Sequence, residues 1–121
     1  MSSITVAMHR HGEGDLSEVA KQLWREIPQT AELICLQERY GSGGQAILLS
    51  CEKYFFRNGS YASLNVMLTE FDGVQRADIV GSGGGEGIFN FSLWANDEFA
   101  EDAQRALEAM GFTVTAEEND E

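Results

Sequence analysis

Two Asx-glycine pairs, Asn58-Gly59 and Asp72-Gly73, constrain this chain more than any other feature. Such pairs accept positive φ at both central positions of a type I′ turn, the tight corner that joins neighbouring antiparallel strands. Read as two-residue corners, they set Arg57 against Ser60 and Phe71 against Val74. Counting outward predicts Cys51 opposite Val66, Leu49 opposite Leu68, and Leu68 opposite Ala77. One face of the three strands then carries Leu49, Cys51, Phe55, Ala62, Leu64, Val66, Leu68, Ala77 and Ile79. The other carries Ser50, Glu52, Tyr54, Phe56, Tyr61, Ser63, Asn65, Met67, Thr69, Arg76 and Asp78. A slip of one residue would exchange the two sets, so the corners and the apolar face support each other.

The glycine run Gly81 to Gly87 predicts a loop into one more strand ending at Trp94. A five-residue loop from Ser82 to Glu86 places Ile79 opposite Phe89 and Ala77 opposite Phe91, so that Phe89, Phe91 and Leu93 extend the apolar face. The run has glycine amides that can cradle an oxyanion. Between two strands, without a lysine and with Glu86 in it, it reads as a hairpin loop, because phosphate loops run into a helix N-terminus. The similar run Gly41 to Gly44 falls at the other end of an up-and-down sheet, so the two cannot form one site.

Ser2 to Met8 alternates, with Ile4, Val6 and Met8 on one side, and reads as the first strand. Asp15 is a good helix N-cap, with Glu18 three residues on as in a capping box. Leu16, Val19, Ala20, Leu23, Trp24 and Ile27 recur at the spacing of one helical face, and Pro28 ends it. Glu32 to Tyr40 reads as the second strand, with Ile34 and Leu36 inward and with charges that suit an edge. After Trp94, Asn96 or Asp97 caps a second helix with an acidic first turn. Its apolar face is Phe99, Ala103, Ala106, Leu107 and Met110, and Gly111 sits where a C′ glycine belongs. Phe112 to Val114 adds a short packed segment.

The expected fold is therefore α+β: one antiparallel sheet of about six strands with two helices on one face. The order strand, helix, five strands, helix is similar to TATA-binding-protein-like and helix-grip folds, and implies strand order 1-6-5-4-3-2. One domain over residues 1–116 is expected, with 117–121 as an acidic disordered tail.

The net charge of −12, from 20 acidic and 8 basic residues, argues against nucleic acid and against an anionic membrane surface. No apolar run approaches the roughly 20 residues that cross a bilayer, and the N-terminus does not read as a signal peptide, so the expected address is the cytoplasm. There Cys35 and Cys51 are expected reduced, on opposite faces of the sheet if Tyr40 pairs with Gln45.

Glu52 to Leu68 (EKYFFRNGSYASLNVML) and Ile79 to Leu107 (IVGSGGGEGIFNFSLWANDEFAEDAQRAL) resemble a small family of uncharacterised bacterial proteins. The resemblance covers roughly residues 45–107, and implies a bacterial origin and a shared fold but no activity. It draws attention to Glu52, Tyr54, Ser63, Asn65 and the Gly81–Gly85 loop.

Candidate chemistry is sparse. His9 and His11, two apart on a strand, would share a face and with Glu13 could approach a metal, but three well-placed ligands are not visible, so no metal and no cofactor are expected. Glu52 beside Tyr54 and Asn65 has the makings of a general acid or base for a weak hydrolase or isomerase. No histidine joins them and no hydrolase motif appears, so the chain leans away from catalysis. The bulky residues of the outer face, Tyr54, Phe56, Tyr61, Met67, Phe71, Ile88 and Trp94, predict an interface. The leading expectation is a non-enzymatic interaction domain, self-associating as a homodimer or binding another protein, through that face or an edge strand. The alternative is a small hydrophobic-ligand binder with Trp24, Phe89, Phe91 and Phe99 lining a pocket under the second helix. Acidic secretion chaperones are a further interaction-type alternative with a different strand-helix order.

Overall fold

Alternation becomes strand and 3.6-residue periodicity becomes helix in the computed structural model, which describes residues 2–12, 14–55, 59–83 and 91–120. The elements are β1 (Ser2–His11), α1 (Leu16–Glu26), β2 (Glu32–Gly41), β3 (Gly44–Phe55), β4 (Ser60–Phe71), β5 (Val74–Gly83), α2 (Phe91–Ala109) and β6 (Thr113–Asp120). All strand pairs are antiparallel, and the sheet order is β2-β3-β4-β5-β1-β6. Helix α1 carries the chain from β1 to the far edge, and α2 carries it from β5 to the other edge. The class is the expected one: an open six-stranded sheet and two helices, α+β.

The β4–β5 corner is as the Asp-Gly pair predicts. Asp72 and Gly73 both have positive φ, 54° and 75°, and Phe71 pairs with Val74 and Leu68 with Ala77. The β3–β4 corner differs. Phe55 pairs with Ser60, so residues 56–59 make the connection, and Arg57 and Asn58 lie outside the described residues. Cys51 faces Leu64 and Leu49 faces Val66, two residues from the expected register. A shift of two keeps every side chain on its own face. Leu49, Cys51, Ala62, Leu64, Val66, Leu68, Ala77 and Ile79 are accordingly all buried.

These residues form successive cross-strand rows, such as Leu49, Val66, Ile79 and Val6, beneath the apolar faces of both helices. Leu16, Val19, Ala20 and Leu23 of α1 and Phe99, Ala103, Ala106 and Leu107 of α2 close the core. The Asp15 carboxylate caps α1 by accepting from the Ser17 amide at 3.0 Å. At the end of α2 the Phe112 amide donates to the Leu107 carbonyl and the Gly111 amide to that of Glu108, both at 3.0 Å. With Gly111 at φ 97°, this is a Schellman stop, and buried Phe112 and Leu107 complete its apolar contact.

Three expectations give way. The strand predicted to end at Trp94 gives way to helix from Phe91, and the β5 edge it was expected to pair with is taken: Ile79 lies between Val66 of β4 and Val6 of β1. Helix α2 has Asn96 and Asp97 inside it, not at its cap, and no acid in its first turn. Phe89 lies outside the described residues. The start of the glycine run, to Gly83, belongs to β5, the next described element is α2, β1 lies directly beside β5, and α2 is followed by a strand where helix-grip folds end on their helix. Secondly, the acidic end expected as a tail from residue 117 is strand as far as Asp120, with Glu117 opposite Val6 and Glu118 opposite Thr5. Backbone pairing holds it while the side chains of Glu117 and Glu118 stay exposed. Thirdly, Leu36 faces inward as expected, opposite Leu49, but stays 42% exposed, and Ile34 does not pair in that register. A bulge between Leu33 and Cys35 displaces Ile34 from the ladder, and the helices pack over β1, β3, β4 and β5 but leave the β2 margin open.

Candidate functional site

The inward side of the sheet ends, at its β2–β3 and β4–β5 turns, in a polar row. Tyr40, Gln45, Glu70, Gln75 and Arg10 follow one another across five strands as direct cross-strand partners. Gln75, only 1% exposed, accepts from Arg10 Nε at 2.6 Å and donates to Glu70 Oε1 at 2.6 Å. Gln45 reaches the other Glu70 oxygen at 3.3 Å. The hydrogen bond from Gln75, with those from Gln45 and the Gly14 amide and the charge of Arg10, holds the Glu70 carboxyl below its ordinary range. Arg10 also donates to the Met110 carbonyl at 2.5 Å and lies 4.7 Å from the Phe112 ring centroid. It ties β1, β5 and the end of α2 together.

A cleft of about 570 Å³ opens beside this row, lined by Tyr40, the turn 41–44, Gln45, Glu70, Asp72 and Gly73. A side chain at Gly44 would run into the Glu70 carbonyl and the Phe71 ring, so the two turns close on each other there. Because Glu70 is already held by its neighbours, the row acts as a structural clamp.

The two edges of the sheet differ in character. On β2, Leu33, Ile34, Leu36 and Tyr40 are 43%, 57%, 42% and 65% exposed, and the only charged residues are Glu32, Glu38 and Arg39. Glu38 accepts from Ser17 at 3.0 Å and from Tyr40 at 2.8 Å, which ties β2 to the first turn of α1. The hydrogen bond to Glu38, with slight desolvation and the nearby Glu38 and Asp15 charges, raises the Tyr40 phenol above its usual range. On β6, residues 113–118 are exposed and the strand contains Glu117, Glu118 and Asp120 with no lysine or arginine. On the outward face near the start of β2 lies a cavity of about 160 Å³ lined by Thr30, Glu32, Glu52, Tyr54 and Tyr61.

A family model described as a family of unknown function, DUF6054, matches residues 5–111. The chain belongs to the DUF6054 family. The match takes in β1, α1 and β2, and so extends well beyond the 45–107 region that carries the resemblance in sequence. Neither the curated proteins nor the solved structures contain a significant match to the chain.

In this DUF6054 chain the predicted interface residues that are described lie at several places along the outward face. Tyr54 and Tyr61 are cross-strand partners with ring centroids 4.8 Å apart. Met67, six residues from Tyr61 along β4, is separated from that pair by roughly 20 Å of strand, at about 3.3 Å per residue. Phe71 lies four residues further on. Phe56 and Ile88 lie outside the described residues, and Trp94 falls within α2, where the side chains of 91–98 are also outside them. Of the predicted pocket residues, Phe99 is buried in the core and Trp24 packs half-buried against it. Phe91 opens α2, and its side chain is among those outside the described set. Glu52 sits between Glu32 and Ser63, while Asn65 accepts from Ser50 at 2.6 Å two residues further along β4.

His9 lies 2.6 Å from the Thr115 hydroxyl and its ring meets His11 edge-on at 5.6 Å; Glu13 lies outside the described residues. Among the described residues no three His, Cys, Asp or Glu side chains are placed to hold a metal. Both cysteines are free, Cys51 in the core and Cys35 on the outward side opposite Ser50. Burial pushes the Cys51 thiol up to about 12. No helix among the described residues is long and apolar enough to cross a membrane.

What sequence reasoning missed is the polar row and the open margin. A signal for the row exists: Gln75 and Arg10 stand at inward positions of their alternating strands, where an apolar residue is otherwise the rule. The bulge at Ile34 has no comparable signal.

Proposed function

We propose that the chain is a protein-interaction module that self-associates through β2, joining two six-stranded sheets edge to edge. The observation that carries this reading is the run of exposed apolar residues on an edge strand, Leu33, Ile34, Leu36 and Tyr40. Edge strands are ordinarily protected by charge, because unpaired backbone groups invite another strand. Here the protection is unequal. Two copies of β6 would set carboxylates against carboxylates, whereas β2 carries only two of the chain's 20 acids, together with Arg39. A strand added to β2 satisfies its backbone and covers its leucines in one step.

Sedimentation equilibrium tests this between micromolar and hundred-micromolar concentration. The expected result is a dimer of the 13.3 kDa chain. Leu36→Lys should weaken it by about 100-fold or more, since the residue recurs on both sides of a two-fold interface. At dilutions where both are monomeric, the variant's thermal unfolding should stay close to the parent's, because Leu36 is already 42% exposed in one chain. A mass that stays at 13.3 kDa throughout would overturn the reading.

A further inference from the structure

The outward side of β2 bears a cation at one end and an anionic, aromatic cavity at the other. Arg39 pairs with Ala46 and is exposed, donating to the Glu38 carbonyl at 2.8 Å and to Gln37 at 3.0 Å. Glu32 stands directly opposite Glu52, and beside them the cavity continues to Tyr54 and Tyr61. Like charges facing each other across strands are unfavourable, and among the described residues that line the cavity there is no lysine or arginine.

The bulge decides how two such strands fit together. Glu32 and Arg39 are seven residues apart and would fall on opposite faces of a regular strand. The shift between Leu33 and Cys35 puts both outward, Glu32 against Glu52 and Arg39 against Ala46. An antiparallel pair of β2 strands with Leu36 on its own copy then sets Cys35 against Gln37. The bulged Leu33–Ile34 pair faces Glu38, and Glu32 faces Arg39. Every partner lies on the same face of the joined sheet, which is what antiparallel pairing demands.

Resting on the reading of β2 as the association edge, we infer that Arg39 of the second copy completes the Glu32–Glu52–Tyr54–Tyr61 cavity, and that the two-fold repeats the contact. A guanidinium suits this lining: it pairs with carboxylates through its planar fork and stacks on aromatic rings. It also offsets the repulsion between Glu32 and Glu52.

Charge reversal tests the register. Arg39→Glu and Glu32→Arg should each weaken the dimer by about 10-fold or more, the contact being made twice, and the double variant should recover most of the loss. A second measurement is independent of charge. Gln37→Cys should form an interchain disulfide with Cys35 of the second copy under mild oxidation, since directly opposed residues lie within disulfide span. Adding Cys35→Ser should abolish it. A dimer that Leu36→Lys dissociates, but that ignores both reversals and forms no cross-link, would overturn this register and leave the β2 reading standing. A chain that is monomeric throughout would overturn both.

Discussion

Arg10→Ala is expected to lower the unfolding free energy by about 3 kcal/mol, from lost charged hydrogen bonds and from the polar group they leave unpaired. Arg10 donates to Gln75 and to the Met110 carbonyl and covers the Phe112 ring, so one side chain joins β1, β5 and the stop of α2. Its removal strips the buried Gln75 of the donor to its side-chain oxygen. For a domain of this size the loss corresponds to a melting temperature lower by roughly 12 °C. Arg105→Ala is the comparison. Arg105 pairs with Glu101 and Asp102 along α2 but is 64% exposed, and should move stability by no more than about 0.5 kcal/mol. Equal effects of the two substitutions, read by urea denaturation, would show that the polar row is not the clamp described.

Leu64→Ala should cost about 3 kcal/mol, the range for a buried leucine whose surroundings collapse only partly. Leu64 has no exposed surface and lies in the row of Cys51, Gly81 and Ile4, where Gly81 offers no side chain to refill the space. Three residues along the same strand, Met67 is 47% exposed on the outward face, and Met67→Ala should cost less than about 0.5 kcal/mol. The contrast is read from two urea midpoints with unchanged slopes. A Met67 variant as damaged as the Leu64 one would mean that the inside and outside of β4 are exchanged.

That inside-outside division is legible in the residues even though the register of one corner is not. The connection between β3 and β4 spans four residues where the Asn-Gly pair predicts two, yet the faces hold because the discrepancy is an even number. The stretch from Phe91 to Trp94 is not legible in the same way: a short, aromatic-rich apolar run suits a strand or a helix turn alike. What excludes the strand is a tertiary fact, the pairing of β1 against β5, which no local pattern announces. The acidic end misleads by composition, since four acids in five residues suggest a solvated tail whether or not the backbone is paired. At the candidate interface, charge on the β2 edge is visible in the sequence but the exposure of its apolar residues is not. Ile34 and Leu36 look like core residues until the bulge and the limits of helix cover are known.

Hydrogen exchange, followed by peptide at a low and a high protein concentration, addresses self-association through β2 most directly. Exchange across residues 32–41 should slow at the higher concentration as the free edge gains a partner strand, while residues 113–120 exchange alike at both. Exchange in β2 that ignores concentration, or protection that is gained on β6 instead, would contradict the account.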